Sequence, residues 1–222
     1  ACKNFATFVS VDGYGVQAEY MRNGLDFHTL QTNVKRILKE TDNTTITFIN
    51  TFNVLSLPSL KDYLQWILDL REEYAKDRQG TKYIPIPDNG DHVHEDYAVK
   101  PKQRIWFDIP LLRAPIWQCI QIMPEYYQSY LEEAIAFMEI NQADEVNIDY
   151  RGFKDFEIDK VRRNLEWMKA GVNMDKDEIT KARANFYKFF TQHDARRDTD
   201  FLSTFPEMED WWNICQEAEA LV

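Results

Sequence analysis

The stretch FATFVSVDGYG, residues 5–15, decides how the fold is read. Phe5, Thr7, Val9 and Val11 fall on one side of an extended chain, and Ala6, Phe8 and Ser10 on the other, so both sides are largely apolar. Side chains alternate across a strand, and a strand apolar on both sides suits a parallel sheet covered on both faces. The run stops at Asp12-Gly13-Tyr14-Gly15, a turn-forming cluster.

Working outward, Phe27, Leu30, Val34, Ile37 and Leu38 recur at helical spacing behind Asp26, a ready N-cap. The same order then repeats. TITFINTF, 45–52, is rich in β-branched and aromatic residues, and LPSLKDYLQWILDLREEY, 57–74, is an amphipathic helix with Ser59 placed to cap it. A third apolar strand, RIWFDIP, 104–110, ends at a proline, and a helix opens at Pro124. Strands alternating with helices predict an α/β chain with about three parallel strands joined by right-handed crossovers, from an open layer or a (β/α) barrel. A closed barrel needs eight such units in about 250 residues. Three units are too few for either an open layer or a closed barrel, so the chain reads as an α/β fold truncated at its N-terminus.

After residue 120 the pattern turns helical: PEYYQSYLEEAIAFMEIN, 124–141, then FEIDKVRRNLEWMKAG, 156–171, then DKDEITKARANFYKFFTQHD, 175–194. Residues 121–222 read as a helical C-terminal extension, and Phe186, Phe189, Phe190, Phe201, Phe205, Trp211 and Trp212 give it apolar surface to pack onto the sheet. The connection RQGTKYIPIPDNGDHVHEDYAVKPK, 78–102, carries turn formers throughout and reads as a long irregular loop.

Composition narrows the function classes. With 26 basic against 37 acidic residues the net charge is −11, which disfavours phosphate-backbone binding, so no nucleic-acid partner is expected. Lys160–Arg163 and Arg196–Arg197 are small exceptions. No run reaches the roughly 18 apolar residues of a membrane span, and ACKNFATFVSVDG lacks the pattern of a secretory leader, so a cytoplasmic protein without a membrane partner is expected. Cys2, Cys119 and Cys215 are too widely spaced for a metal knuckle and odd in number, and they read as free thiols.

Residues VSVDGYGVQAEYMRNG, 9–24, resemble the fourth strand and following loop of radical S-adenosylmethionine enzymes. In that family the strand ends in Ser-x-Asp-Gly with an Arg twelve positions after the Ser, and here Ser10, Asp12, Gly13 and Arg22 occupy those places. The likeness extends through the following βα units to about residue 120, and it implies that 1–120 are the C-terminal βα units of a partial TIM-type barrel whose N-terminal half is lacking. It implies that Arg22 clamps the carboxylate of S-adenosylmethionine and that Ser10 and Asp12 assist. Asn50 and Asn53 match where the family often places polar residues near the adenosine or the substrate. Asp108 and Arg113, in RIWFDIPLLRAP, are lower-ranked pocket residues. DARRDTDFLSTFPEMEDWW, 194–212, resembles a twitch-type extension. The complete enzyme would cleave the cofactor reductively at a [4Fe–4S] cluster and use a 5′-deoxyadenosyl radical on a peptide or small metabolite.

The departures are equally plain. The family holds its cluster through C-x3-C-x2-C, and no cysteine follows Cys2 until Cys119. The family's Gly-Gly-Glu stretch is absent too. Both belong to the half-barrel before the fourth strand, which an upstream segment or a partner chain would supply. No metal ligand and no catalytic residue is assigned in this chain.

The alternative for Asp12-Gly13 with Arg22 is a turn and a solvated helix start, and for Asn50 and Asn53 a strand-end Asx turn. His92-Val-His94-Glu95-Asp96 reads as a polar loop ahead of a metal site, and His28 and His193 as surface or boundary positions. Glu132–Glu133 and Glu72–Glu73 diverge around their helices as solvated charges. No Gly-x-Ser-x-Gly, phosphate-cradling glycine loop or His-Glu-x-x-His is present. A non-catalytic interaction module derived from the same fold stands as the alternative function.

Overall fold

The computed structural model describes residues 5–41, 43–75, 103–143 and 151–222. Strands β1 (Phe5–Ser10), β2 (Thr44–Ile49) and β3 (Ile105–Asp108) form a parallel sheet in the order β1-β2-β3. Phe8 pairs with Thr47 and Thr47 with Trp106; one layer on, Ser10 pairs with Ile49 and Ile49 with Asp108. The ladder runs on past the strand ends through Val11 N to Ile49 O at 2.9 Å and Phe52 N to Pro110 O at 3.1 Å.

The helices are α1 (Gly15–Met21), α2 (Phe27–Glu40), α3 (Leu60–Ala75), α4 (Gln128–Ile140), α5 (Asp155–Lys169), α6 (Lys176–Arg197), α7 (Phe201–Thr204) and α8 (Glu209–Ala220). Short 3-10 turns punctuate them. The described residues are thus mixed α/β and mostly helical around a small parallel sheet. Among them no helix is long and apolar enough to cross a membrane.

Strand order dictates which face is covered. When consecutive parallel strands step in one direction, right-handed crossovers put every intervening helix on the same face. Accordingly Trp66 of α3 lies between Phe27 of α2 and Phe48 of β2, with ring centroids 5.2 and 4.6 Å away, and Tyr63 meets Phe107 edge-on. Ile46, Phe48, Ile105, Phe107 and Ile109 are buried beneath them. The opposite face, with Phe8, Ser10, Thr47, Trp106 and Asp108, is partly or fully exposed, and Phe8 keeps 67% of its surface. The reading of the first strand as buried on both sides is corrected here. β1 lies at the sheet's edge, and among the described residues no element packs over its second face.

Charged side chains tie the layers together. Buried Arg104 donates to the carbonyls of Thr44, Leu38 and Thr41, closing the end of α2 onto the sheet. Arg71 of α3, 3% exposed, forms a bidentate pair with fully buried Glu157 of α5 at 2.6 and 3.1 Å. Its remaining donors reach Ile105 O and Gly152 O, both at 3.2 Å. Asp26 caps α2 as expected, accepting from Thr29 N at 2.7 Å.

The extension builds its own aromatic cluster from Phe186, Phe190, Phe201, Phe205 and Trp211, all at most 3% exposed. Tyr20 of α1 enters that cluster, 5.3 Å from Phe205 and 6.1 Å from Phe190. The buried core therefore runs without a break across residue 120.

Candidate functional site

A cavity of about 260 Å³ lies at the carboxyl ends of the three strands. Asp12, Thr51 and Leu112, from the segments following β1, β2 and β3, form one wall; Phe189, Phe190, His193 and Arg197 of α6 form the other. Parallel α/β sheets bind ligands at this end, where loops gather and helix and strand dipoles converge.

The loop after β1 is built to turn sharply. Gly15 starts α1 at φ +57°, a conformation open to glycine at little cost. A Cβ on Gly13 would stand 2.8 Å from the Ser59 hydroxyl, which accepts instead from Tyr14 N at 3.0 Å. Residues 15–21, read from sequence as loop, are helical because these glycines delimit a short amphipathic turn that buries Ala18 and Tyr20.

That geometry brings Arg22 back over Asp12, with Nη2 2.8 Å from Oδ2. The other Asp12 oxygen accepts from Thr51 N at 2.9 Å, joining the ends of β1 and β2. Burial pushes the Asp12 carboxyl above its ordinary value, and Arg22 and the Thr51 amide only partly oppose this. A proton thus favours the folded state. Asp12's contribution to stability is greatest below its ordinary value of 3.8 and is lost as pH rises through the raised folded value. In a carboxyl-detected NMR titration, Asp12 is expected to titrate above 3.8, and higher again in Arg22→Ala, where the opposing guanidinium is gone. A midpoint that does not rise in the variant would remove the pair's electrostatic coupling.

Arg22 keeps a further donor in hand, since its Nε is buried without a partner among the described residues. Ser10 sits exposed one layer below, on the open face. Asn53 lines the cavity, but its amide is engaged locally, accepting from Leu55 N and donating to Thr51 O, both at 2.9 Å. This is the strand-end Asx capping that the sequence offered as an alternative. Asn50 points to the covered face, fully buried, with neither amide atom partnered among the described residues. The expected set is therefore split: Asp12 and Asn53 line the cavity, Arg22 pairs with Asp12 without lining it, Ser10 lies on the open face, and Asn50 is in the core.

His193 is a boundary position, not a surface one: its side chain is 8% exposed and it lines the cavity. Arg197 Nη1, which can only donate, lies 2.9 Å from His193 Nε2, so the ring proton sits on Nδ1, facing Asp194 Oδ1 at 3.3 Å. Asp194 also accepts from the Tyr20 hydroxyl at 2.7 Å and from Phe201 N at 2.8 Å. Burial, then Asp194 itself, pushes the Tyr20 phenol well above its ordinary range, so it remains a donor. The signal for this wall is the stripe Phe186, Phe190, His193, Arg197 at helical spacing, although nothing in it names the partner loop.

A [4Fe–4S] cluster does not fit the described residues. Cys119 and Cys215 are buried free thiols, and no group of three His, Cys, Asp or Glu side chains among the described residues could hold a metal ion. Burial raises both thiols, against the thiolate that ligation needs. Cys2 and the 92–96 loop lie outside the described residues. Arg22 Nε, by contrast, is a buried donor without an acceptor among the described residues. Compared with protein-family models, curated proteins and solved structures, the chain matches none, so its own residues carry the functional reading.

Proposed function

We propose that this chain is the C-terminal part of a radical S-adenosylmethionine enzyme. It would supply the last βα units of a partial TIM-type barrel, with the helical extension closing one side of the site. The observation that carries the reading is the return of Arg22 over Asp12 at the carboxyl end of β1, with a guanidinium donor unpaired among the described residues. The one-directional strand order β1-β2-β3 also favours it, since an open sheet face flanked by helices on the other side is how a barrel wall is built. When bound beside a [4Fe–4S] cluster held elsewhere, the cofactor would supply a radical able to abstract a substrate hydrogen.

The residues of this chain would bind and orient. Arg22 would hold the cofactor carboxylate by charge-assisted hydrogen bonds, Asp12 would fix the guanidinium plane, and Ser10 would donate from the open face. The aromatic wall of α6 would keep water from the site. In the complete protein, with its cluster reconstituted anaerobically, Arg22→Ala is expected to weaken cofactor binding about ten- to hundred-fold, the ~1.5–3 kcal/mol of a charge-assisted hydrogen bond. Equilibrium dialysis measures it, and an unchanged affinity takes Arg22 out of the site.

A non-catalytic interaction module is the second reading, favoured by the exposed edge strand with Phe8 on its uncovered face. Cofactor binding by the complete protein separates the two, since the module has no use for it.

A further inference from the structure

On the far side of the 108–113 segment lies a second cleft, of about 290 Å³, between that segment and α5. Arg113, Lys160 and Arg163 line it, and the lining carries a single carboxylate, Asp108, among the described residues. In a chain of net charge −11 this is a local reversal of sign. Neighbouring positions on α5 are paired differently. Arg162 is matched by two carboxylates, Glu139 at 2.6 Å and Asp159 at 2.9 Å. Arg163, one residue on and turned into the cleft, meets no acceptor among the described residues. Arg113 lies over the Trp167 ring at 5.8 Å, a contact that orients the guanidinium while its N–H groups meet no protein acceptor among the described residues. Lys160 is held by Asp108 at 3.0 Å and by Phe107 O at 3.3 Å, which fixes its ammonium at the cleft's inner end.

Asn164 supplies a group of the opposite kind. It is 1% exposed and lines the cleft, and its Nδ2 donates to Ile109 O and Lys160 O, both at 3.0 Å. Those two carbonyls fix the amide's orientation, because a flip would set oxygen against oxygen. Its Oδ1 is buried without a donor among the described residues. The cleft thus offers guanidinium and ammonium donors beside one unmet acceptor, at a volume on the small side for ligand pockets.

We propose that this cleft binds a small oxyanion, a phosphate or a carboxylate, carrying an adjacent hydroxyl, with Arg113 and Arg163 taking the anion and Asn164 Oδ1 the hydroxyl. The site shares no residue with the Asp12–Arg22 arrangement and stands whether or not the radical enzyme reading holds. Its two sources are separated by two probes, glycerol 3-phosphate and malate. Calorimetric titration of the chain is expected to give one saturable site for at least one of them, and the probe that binds names the source. Affinity should fall about ten-fold in Arg163→Gln, as the loss of a charge-assisted contact demands, and stay unchanged in Arg162→Gln, whose guanidinium faces Glu139 and Asp159. Both positions are exposed, so neither variant endangers the fold. Two results overturn the proposal: no saturable binding of either probe at millimolar concentration, or equal losses in the two variants.

Discussion

Arg71→Ala is expected to lower the unfolding free energy by ~3–5 kcal/mol, because it leaves the Glu157 carboxylate buried without its counter-ion. Both side chains are almost wholly withdrawn from water, and Arg71 also serves Ile105 O and Gly152 O, so one truncation leaves several acceptors unmet. For a chain of this size that corresponds to a fall in Tm of about 6–20 °C by calorimetry. Removing both charges should behave differently. In Arg71→Met with Glu157→Leu the apolar side chains would pack against Phe107 and Phe153, the rings that now lie 5.9 and 5.5 Å from the guanidinium carbon. The double variant is expected to recover most of the loss, since desolvating an ion pair costs about as much as the pair returns. A double variant no more stable than Arg71→Ala would mean that the hydrogen bonds to the two carbonyls, and not the lone charge, set the cost.

Trp211→Ala should cost ~3–5 kcal/mol, the range for deleting a large buried aromatic side chain. Trp211 is fully buried, packs edge-on against Phe186 at 5.3 Å, and lies under the Arg183 guanidinium at 5.8 Å. Its Nε1 has no partner among the described residues, so Trp211→Phe forfeits volume but no hydrogen bond to them and should cost less. The core crosses residue 120 continuously, so chemical denaturation of Trp211→Ala should show one shifted transition seen alike by helical and near-ultraviolet signals. Two separated transitions would make the extension an independently melting unit.

Local pattern made the sheet and the long helices legible. Alternation and β-branching marked the three strands, and Asp26 and the stripe from Phe27 to Leu38 marked α2. Contacts between residues far apart in the chain were not legible. Arg71 and Glu157 are 86 positions apart, and a charged residue on an amphipathic helix reads as solvated unless its partner is known. Tyr20 and His193 were hidden for the same reason, each being half of a contact whose other half lies more than 170 residues away. The second face of β1 misled, because apolar alternation reports what can be buried and not what lies over it. At the site, the likeness that singled out Asp12 and Arg22 assigned both to a cofactor and did not announce the ion pair between them. The polar roles of Asn50 and Asn53 were not legible, because one residue of register decides between core, cap and cavity.

The docking of Tyr20 among His193, Phe190 and Phe205 has a thermodynamic corollary. The helix that carries Tyr20 leads directly into Arg22, and the helix that holds it furnishes the far wall of the cavity. Occupancy of the cavity and attachment of the extension are therefore linked functions, and the linkage is reciprocal. Whatever ligand favours the attached arrangement clamps the extension by the same factor by which detaching the extension would loosen the ligand.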